Sequence, residues 1–167
     1  MKTENNIILT NSQINYKIRR IALQILESNI DEEQIVLAGI SNNGFLIAKK
    51  LQNIIADYSD VKIILAEVFI NKKDLLNGVT TSINTKEYTD KSVVLVDDVL
   101  HSGATLIYGV KHFLNVPLTQ LKTAVLINRN HKKYPVKADF KGISLSTSIN
   151  EHIEIVFNND NAEAVLR

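Results

Sequence analysis

Cysteine is absent from the 167 residues, which excludes both a disulfide framework and any thiolate metal site. Proline is scarce, with two in the chain, and on its own points to no function. A dominant charge sign is also lacking: 19 Lys and Arg against 18 Asp and Glu leave +1, so nothing global calls for nucleic acid or an anionic membrane surface. No apolar run approaches the roughly 20 residues that span a bilayer. Residues 1–6 are polar and lack the apolar core of a signal peptide, so the expected location is cytoplasmic. There is no internal repeat, low-complexity tract or interdomain linker. Neither a His pair at metal-ligand spacing on a helix nor a nucleophile–base pair is found. What remains is one expected domain over residues 1–167, long enough to bury a substantial core.

What the chain does have is one dense stretch. Val93, Val94, Leu95 and Val96 form an unbroken apolar run suited to a strand buried on both faces of a parallel sheet. Asp97 and Asp98 are expected at its end, followed by Val99, Leu100, His101 and the small residues Ser102, Gly103, Ala104 and Thr105. From about Ala104 the apolar spacing becomes helical, through Leu106, Ile107, Val110, Phe113 and Leu114. Ligands of open α/β sheets bind where strands end and helices begin. Amides of Gly103, Ala104 and Thr105, with the Ser102 and Thr105 hydroxyls, would surround a phosphate at the positive end of the helix dipole. Two carboxylates beside that phosphate need another task, such as gripping the hydroxyls of an attached sugar or holding Mg²⁺ nearby. A tight βα turn with two solvated acids is the plainer alternative. The length of the whole arrangement argues for the functional reading.

Elsewhere, Thr10 or Asn11 can cap a helix running to about residue 29, with Ile14, Ile18, Ile21, Ala22, Ile25 and Leu26 as its apolar stripe. Residues 35–40 read as a buried strand, 41–44 as its turn, 45–58 as a helix and 61–70 as the next strand. Residues 71–90 are polar and lack sustained periodicity, and a loop of that length often proves to be a lid. Residues 123–128 read as a strand, 129–137 as a basic turn, and 140–145 and 152–157 as short strands of a smaller lobe. The tail from residue 158 reads as polar with a short helical ending. This alternation predicts an α/β three-layer sandwich around a central parallel sheet, with a small extra lobe.

The stretch from Val93 to Leu106 resembles the 5-phosphoribosyl-1-pyrophosphate motif of type I phosphoribosyltransferases. It departs at His101, where that family usually has a small residue or Asp. Weaker matches in order extend the likeness over about residues 8–157: Ile40 to Gly44, Ala48 to Leu51, Leu75, Leu126 to His131, Pro135, Ala138 to Phe140, Gly142, and Ser146, Thr147 and Ser148. Within the family the chain is most similar to pyrimidine-operon attenuation regulators that double as uracil phosphoribosyltransferases.

The resemblance implies transfer of 5-phosphoribose from 5-phosphoribosyl-1-pyrophosphate to a nucleobase, uracil or a purine, with release of pyrophosphate, in nucleotide salvage. Asp97 and Asp98 would be the catalytic pair, holding ribose hydroxyls and, indirectly, the Mg²⁺ cofactor. His101, Ser102, Gly103, Ala104, Thr105 and Leu106 would bind the 5-phosphate. Ser41, Asn42, Asn43 and Gly44 would form the pyrophosphate loop, although the relative carries Thr-Arg-Gly there. Lys72 and Lys73 would belong to a lid over residues 71–90, Lys72 standing where the relative has Arg. A hood over residues 129–157 would cover the base, with Phe140 stacking on it, Asp139 beside it, and Arg129 toward pyrophosphate or ribose. Asn128 favours neither uracil nor purine. The alternative is a nucleotide-sensing, RNA-binding regulator with little turnover. Its basic residues would be Arg129, His131, Lys132, Lys133 and Lys137 with Lys17, Arg19 and Arg20, and ordinary surface charge is favoured over it. A homodimer or homotetramer is the family's habit.

Overall fold

The computed structural model describes residues 6–146, 148 and 150–167. β1 (Asn6–Leu9) hands over at Thr10 to α1 (Asn11–Ser28). Thr10 is a reciprocal cap, its hydroxyl accepting from the Gln13 amide while Gln13 Oε1 accepts from the Thr10 amide at 2.9 Å. The anticipated stripe is buried: Ile14, Ile18, Ile21, Ala22 and Ile25 are no more than 1% exposed. Each buried isoleucine contributes roughly 1.5–3 kcal/mol. β2 (Gln34–Ile40), α2 (Asn43–Tyr58) and β3 (Lys62–Ile70) form a βαβ unit, paired in parallel from Gln34–Lys62 to Ile40–Val68. After β4 (Val79–Thr81) and the single turn α3 (Thr85–Tyr88) come β5 (Ser92–Leu100) and α4 (Ala104–Phe113). β6 (Gln120–Arg129), β7 (Phe140–Leu145), β8 (Ile153–Asn158) and β9 (Asn161–Leu166) complete the chain.

Six strands make the main sheet in the order β4-β3-β2-β5-β6-β7, all parallel except β4, which pairs antiparallel with β3. Alternate residues of β2 and β5 feed two cores. Ile35, Leu37, Val94 and Val96 pack with α1 and α2, while Val36, Ala38, Val93 and Leu95 pack with Leu106 and Phe113 of α4. Helices on both faces give the anticipated three layers. A separate three-stranded antiparallel sheet, β1-β9-β8, closes against the α1–α2 side through Leu9, Ile153, Ile155, Ala162 and Ala164.

Four expectations are corrected. The tail is a strand, not a helix: Ala162 and Ala164 alternate inward, and pairing of β9 with β8 and β1 overrides the helix propensity of Ala and Glu. The smaller lobe does not include residues 140–145, because β7 joins the main sheet beside β6, leaving β8 with β9 and β1. The segment 71–90 is not one open loop. Its second half is fixed by β4, by the capping box of Asn84 and Glu87, by Tyr88 at 1% exposure in the α4-side core, and by the Asp90 amide on the Pro117 carbonyl. Finally, the acidic pair lies within a strand, since β5 runs on to Leu100, which pairs with Asn128.

Candidate active site

A cavity of about 260 Å³ opens at the carboxyl end of β5. It is lined by Asp97 and Asp98, by residues 99–106, by Lys72, by His152 and by Ile153 and Glu154 of β8. Strict alternation fails here: Val96 and Val99 both pack into the α1–α2 core, as do Leu126 and Ile127 at the same level of β6. Two successive amides of β5 are taken by the acids themselves, Asp98 N–H by Asp97 Oδ1 at 2.9 Å and Val99 N–H by Asp98 Oδ1 at 2.7 Å. Both carboxylates are therefore oriented by the local backbone.

Their environments differ. Asp97 is 4% exposed, and burial, reinforced by the neighbouring Asp98, raises its pKa from 3.8 to about 7; Lys72 opposes this only partly, with Nζ 4.0 Å from Oδ1. Asp98 Oδ2 accepts from Asn43 Nδ2 at 2.8 Å, and the same amide group reaches the Ile155 carbonyl at 3.0 Å. Asn43 thus ties the start of α2, the acidic pair and β8 together.

The turn after β5 is short. Only His101, Ser102 and Gly103 separate β5 from α4, so Ala104, Thr105 and Leu106 form the helix's first turn. Gly103 is left-handed at φ 86 and, as the N-cap residue, has no side chain to cap α4. The first-turn amides of a helix lack intrahelical acceptors. The amide of Ala104 meets Ser102 Oγ at 3.2 Å, and the first bond across the turn runs from Ile107 to the Gly103 carbonyl. The Ser102 carbonyl accepts from the amides of Lys133 and Tyr134, fixing the turn to the segment after β6. Leu106 is 2% exposed, so it contributes to the cavity by backbone while its side chain fills the α4-side core. Donors at a positive helix end on one side and two carboxylates on the other suit a phosphorylated sugar.

Other expected residues lie elsewhere. None of Ser41, Asn42, Asn43 and Gly44 lines the cavity. Ser41 Oγ donates to Glu67 Oε1 at 2.6 Å, and Asn43 and Gly44 already belong to α2. Gly44 is explained by packing, since a Cβ there would lie 2.5 Å from the Val96 carbonyl oxygen. Lys72 enters the cavity wall and Lys73 does not. Phe140 packs against the main core at the far end of β7, level with Val96 through Ala124, and does not reach the cavity to stack on a base. Asp139 accepts from the Thr123 amide at 2.9 Å and pairs with Lys137, a structural role at the start of β7. Arg129 is 8% exposed, bonded to His101 Nδ1 and to the Ser148 carbonyl, so it braces the wall instead of facing solvent. Of the matched triplet at 146–148, Thr147 lies outside the described residues.

The basic residues do not share a face. Arg19 donates to the Tyr58 hydroxyl, Arg20 holds the Lys141 and Gly142 carbonyls, and α1 covers one side of the sheet, whereas Val136 of the 130–139 segment packs on the other. The wall residues 152–154 fall within the expected hood of 129–157, but none of them was singled out: no spacing links His152 to His101, which stack only in the folded chain. No helix among the described residues is long and apolar enough to cross a membrane.

A three-layer α/β fold with a helix start and two carboxylates sharing one cavity near the carboxyl end of a central strand has the geometry of a sugar-phosphate site. The family model for the phosphoribosyl transferase domain matches residues 4–160, and the chain belongs to that family, in its type I form. Among curated relatives, the bifunctional protein PyrR of Streptococcus sanguinis (strain SK36) is 32% identical over 156 residues, covering 92% of this chain and 90% of the relative. The PyrR of Streptococcus pneumoniae (strain CGSP14) is 31% identical, covering 92% and 89%. The fold matches a hypoxanthine-guanine phosphoribosyltransferase of Bacillus anthracis with TM-score 0.76 at 20% identity, covering 96% of this chain and 97% of that one. It also matches the hypoxanthine phosphoribosyltransferase of Trypanosoma cruzi with TM-score 0.76 at 16% identity, covering 96% and 95%.

Proposed function

We propose that this protein transfers 5-phosphoribose from 5-phosphoribosyl-1-pyrophosphate to a nucleobase and releases pyrophosphate, a salvage reaction for uracil or a purine. The observation that carries the reading is the start of α4, with glycine at its N-cap, opening onto the same cavity as Asp97 and Asp98. Relatives named bifunctional PyrR and neighbours named hypoxanthine phosphoribosyltransferases support it.

In this reading the first-turn amides and Ser102 hold the 5-phosphate, which sets the position of the sugar. Asp98, held by Asn43 and Val99, grips the ribose hydroxyls and lies beneath the ring as it gains positive charge. The bond from ribose C1 to the pyrophosphate oxygen breaks with its electron pair leaving on pyrophosphate. A ring nitrogen of the base forms the new bond to C1 and gives up its proton to the departing pyrophosphate or to water. Lys72 beside Asp97 meets the departing charge as a point cation. Among the described residues no group of three ligands could hold a metal alone, while the two adjacent carboxylates meet a single lysine, Lys72, 4.0 Å from Asp97. That donor set suits Mg²⁺ arriving with substrate, touched indirectly by Asp97 and Asp98; when bound, it neutralises pyrophosphate.

The test is pyrophosphate release from 5-phosphoribosyl-1-pyrophosphate with Mg²⁺ and a panel of uracil, hypoxanthine, guanine and adenine. Release dependent on one base supports the reading, and no release with any of them refutes it.

A further inference from the structure

With Phe140 in the main core, the base side of the cavity needs another flat surface. The described residues lining the cavity include no Phe, Tyr or Trp; its flat rings are His101 and His152. These two are stacked face to face, with centroids 5.0 Å apart and planes 7° from parallel. The inner ring is fixed from behind. Arg129 Nη1 lies 3.1 Å from His101 Nδ1, and a guanidinium can only donate, so Nδ1 accepts and the proton of this imidazole sits on Nε2. Burial, with His152 and Arg129 nearby, lowers the His101 pKa from 6.5 to about 4, in keeping with a neutral ring. The outer ring is fixed from its backbone: His152 and Arg167 exchange two hydrogen bonds of 2.8 and 2.7 Å at the end of the β8–β9 pair. His152 itself is exposed while His101 is half-buried, so the outer ring is the accessible member of the pair.

Parallel rings direct their in-plane lone pairs past one another, so the pair is not built to share a metal ion, and no three-ligand group exists among the described residues. A stack with one braced member and one accessible member is suited to a third flat ring.

We propose that the outer face of His152, backed by His101 and Arg129, is the surface on which the nucleobase stacks. The proposal rests on the phosphoribosyl reading above and adds the residue that meets the base. His101 and Arg129 are then positioning residues acting through His152.

Equilibrium binding of uridine 5-monophosphate and of ribose 5-phosphate, by calorimetry on the full chain, separates the two ideas. Both ligands carry the phosphate and sugar, and only the nucleotide carries the base. Loss of a base–aromatic stack weakens binding roughly 5- to 150-fold. His152→Ala should therefore weaken the nucleotide about tenfold while ribose 5-phosphate changes less than about twofold. His152→Tyr should restore the nucleotide to within about threefold of the parent. Equal losses for both ligands, no loss for either, or no rescue by tyrosine would overturn the proposal and leave the phosphoribosyl reading intact. A parent chain that binds neither ligand overturns both. Because His152 is exposed, the alanine variant is expected to fold, and its thermal midpoint checks this.

Discussion

Replacing Asp97 by Asn should make the protein more stable at neutral and alkaline pH, and the gain should depend on pH. Asp97 is nearly fully buried, and its pKa rises from 3.8 to about 7 mainly because burial disfavours its charged form. A carboxyl whose folded value lies above its unfolded value binds more protons when folded, so its contribution to stability falls as pH rises from about 4 to 7. The interval from 3.8 to about 7, at about 1.4 kcal/mol per pH unit, corresponds to about 4 kcal/mol lost above the folded value. Asparagine has nearly the same shape and no proton to lose, so it escapes that loss. It forfeits the Lys72 contact, which at 4.0 Å with a half-exposed lysine is worth about 0–1 kcal/mol. Urea unfolding of both proteins at about pH 5 and pH 8 should show the advantage of Asp97→Asn widening by about 2–3 kcal/mol between them. For a domain of this size each kcal/mol moves the thermal midpoint by about 2–4 °C. A difference that stays flat across that range would refute a buried, proton-binding Asp97.

Asp98→Asn should lower kcat/KM by about 100-fold or more, because it removes an oriented charge beneath the sugar, whereas Lys72→Ala should cost about tenfold or less; steady-state kinetics with the preferred base rank the two. Gly103→Ala should destabilise the protein by about 1–2 kcal/mol from its positive φ alone. It should also weaken phosphate binding, because the new Cβ would lie 2.6 Å from Val136 Cγ1. In the double variant with Val136→Ala the clash is relieved and the φ penalty remains, and denaturation curves of both distinguish the two contributions.

The layers were legible because they follow from local pattern. The α1 stripe, the unbroken β2 and β5 runs and the change of period at Ala104 each appear within one segment. Asp97, Asp98 and the 102–105 turn were legible for the same reason, as neighbours in sequence that are also neighbours in space. What escaped depends on pairing between distant segments. β9 is rich in helix-favouring Ala and Glu, and only β8 and β1 make it a strand. Phe140 has the residue type of a base-stacking ring, but β7 docks beside β6 and turns it inward. Arg129 looks like a surface cation until the His101 ring is placed against it. The Asn43 amide, standing where a relative carries arginine, becomes intelligible only once it reaches Asp98.

β1 precedes every other described strand, yet its sheet partner is β9, the last of them. Bringing such remote segments together carries a large loop-closure entropy, and contacts of this kind form late. The α4-side core draws on no residue of β1, β8 or β9, whereas the α1–α2 core includes Leu9, Ile153, Ile155, Ala162 and Ala164, so its closure waits for that pairing. The His152 wall of the cavity is held by the β8–β9 pairing, so it is set only once residues 161–167 have joined the sheet.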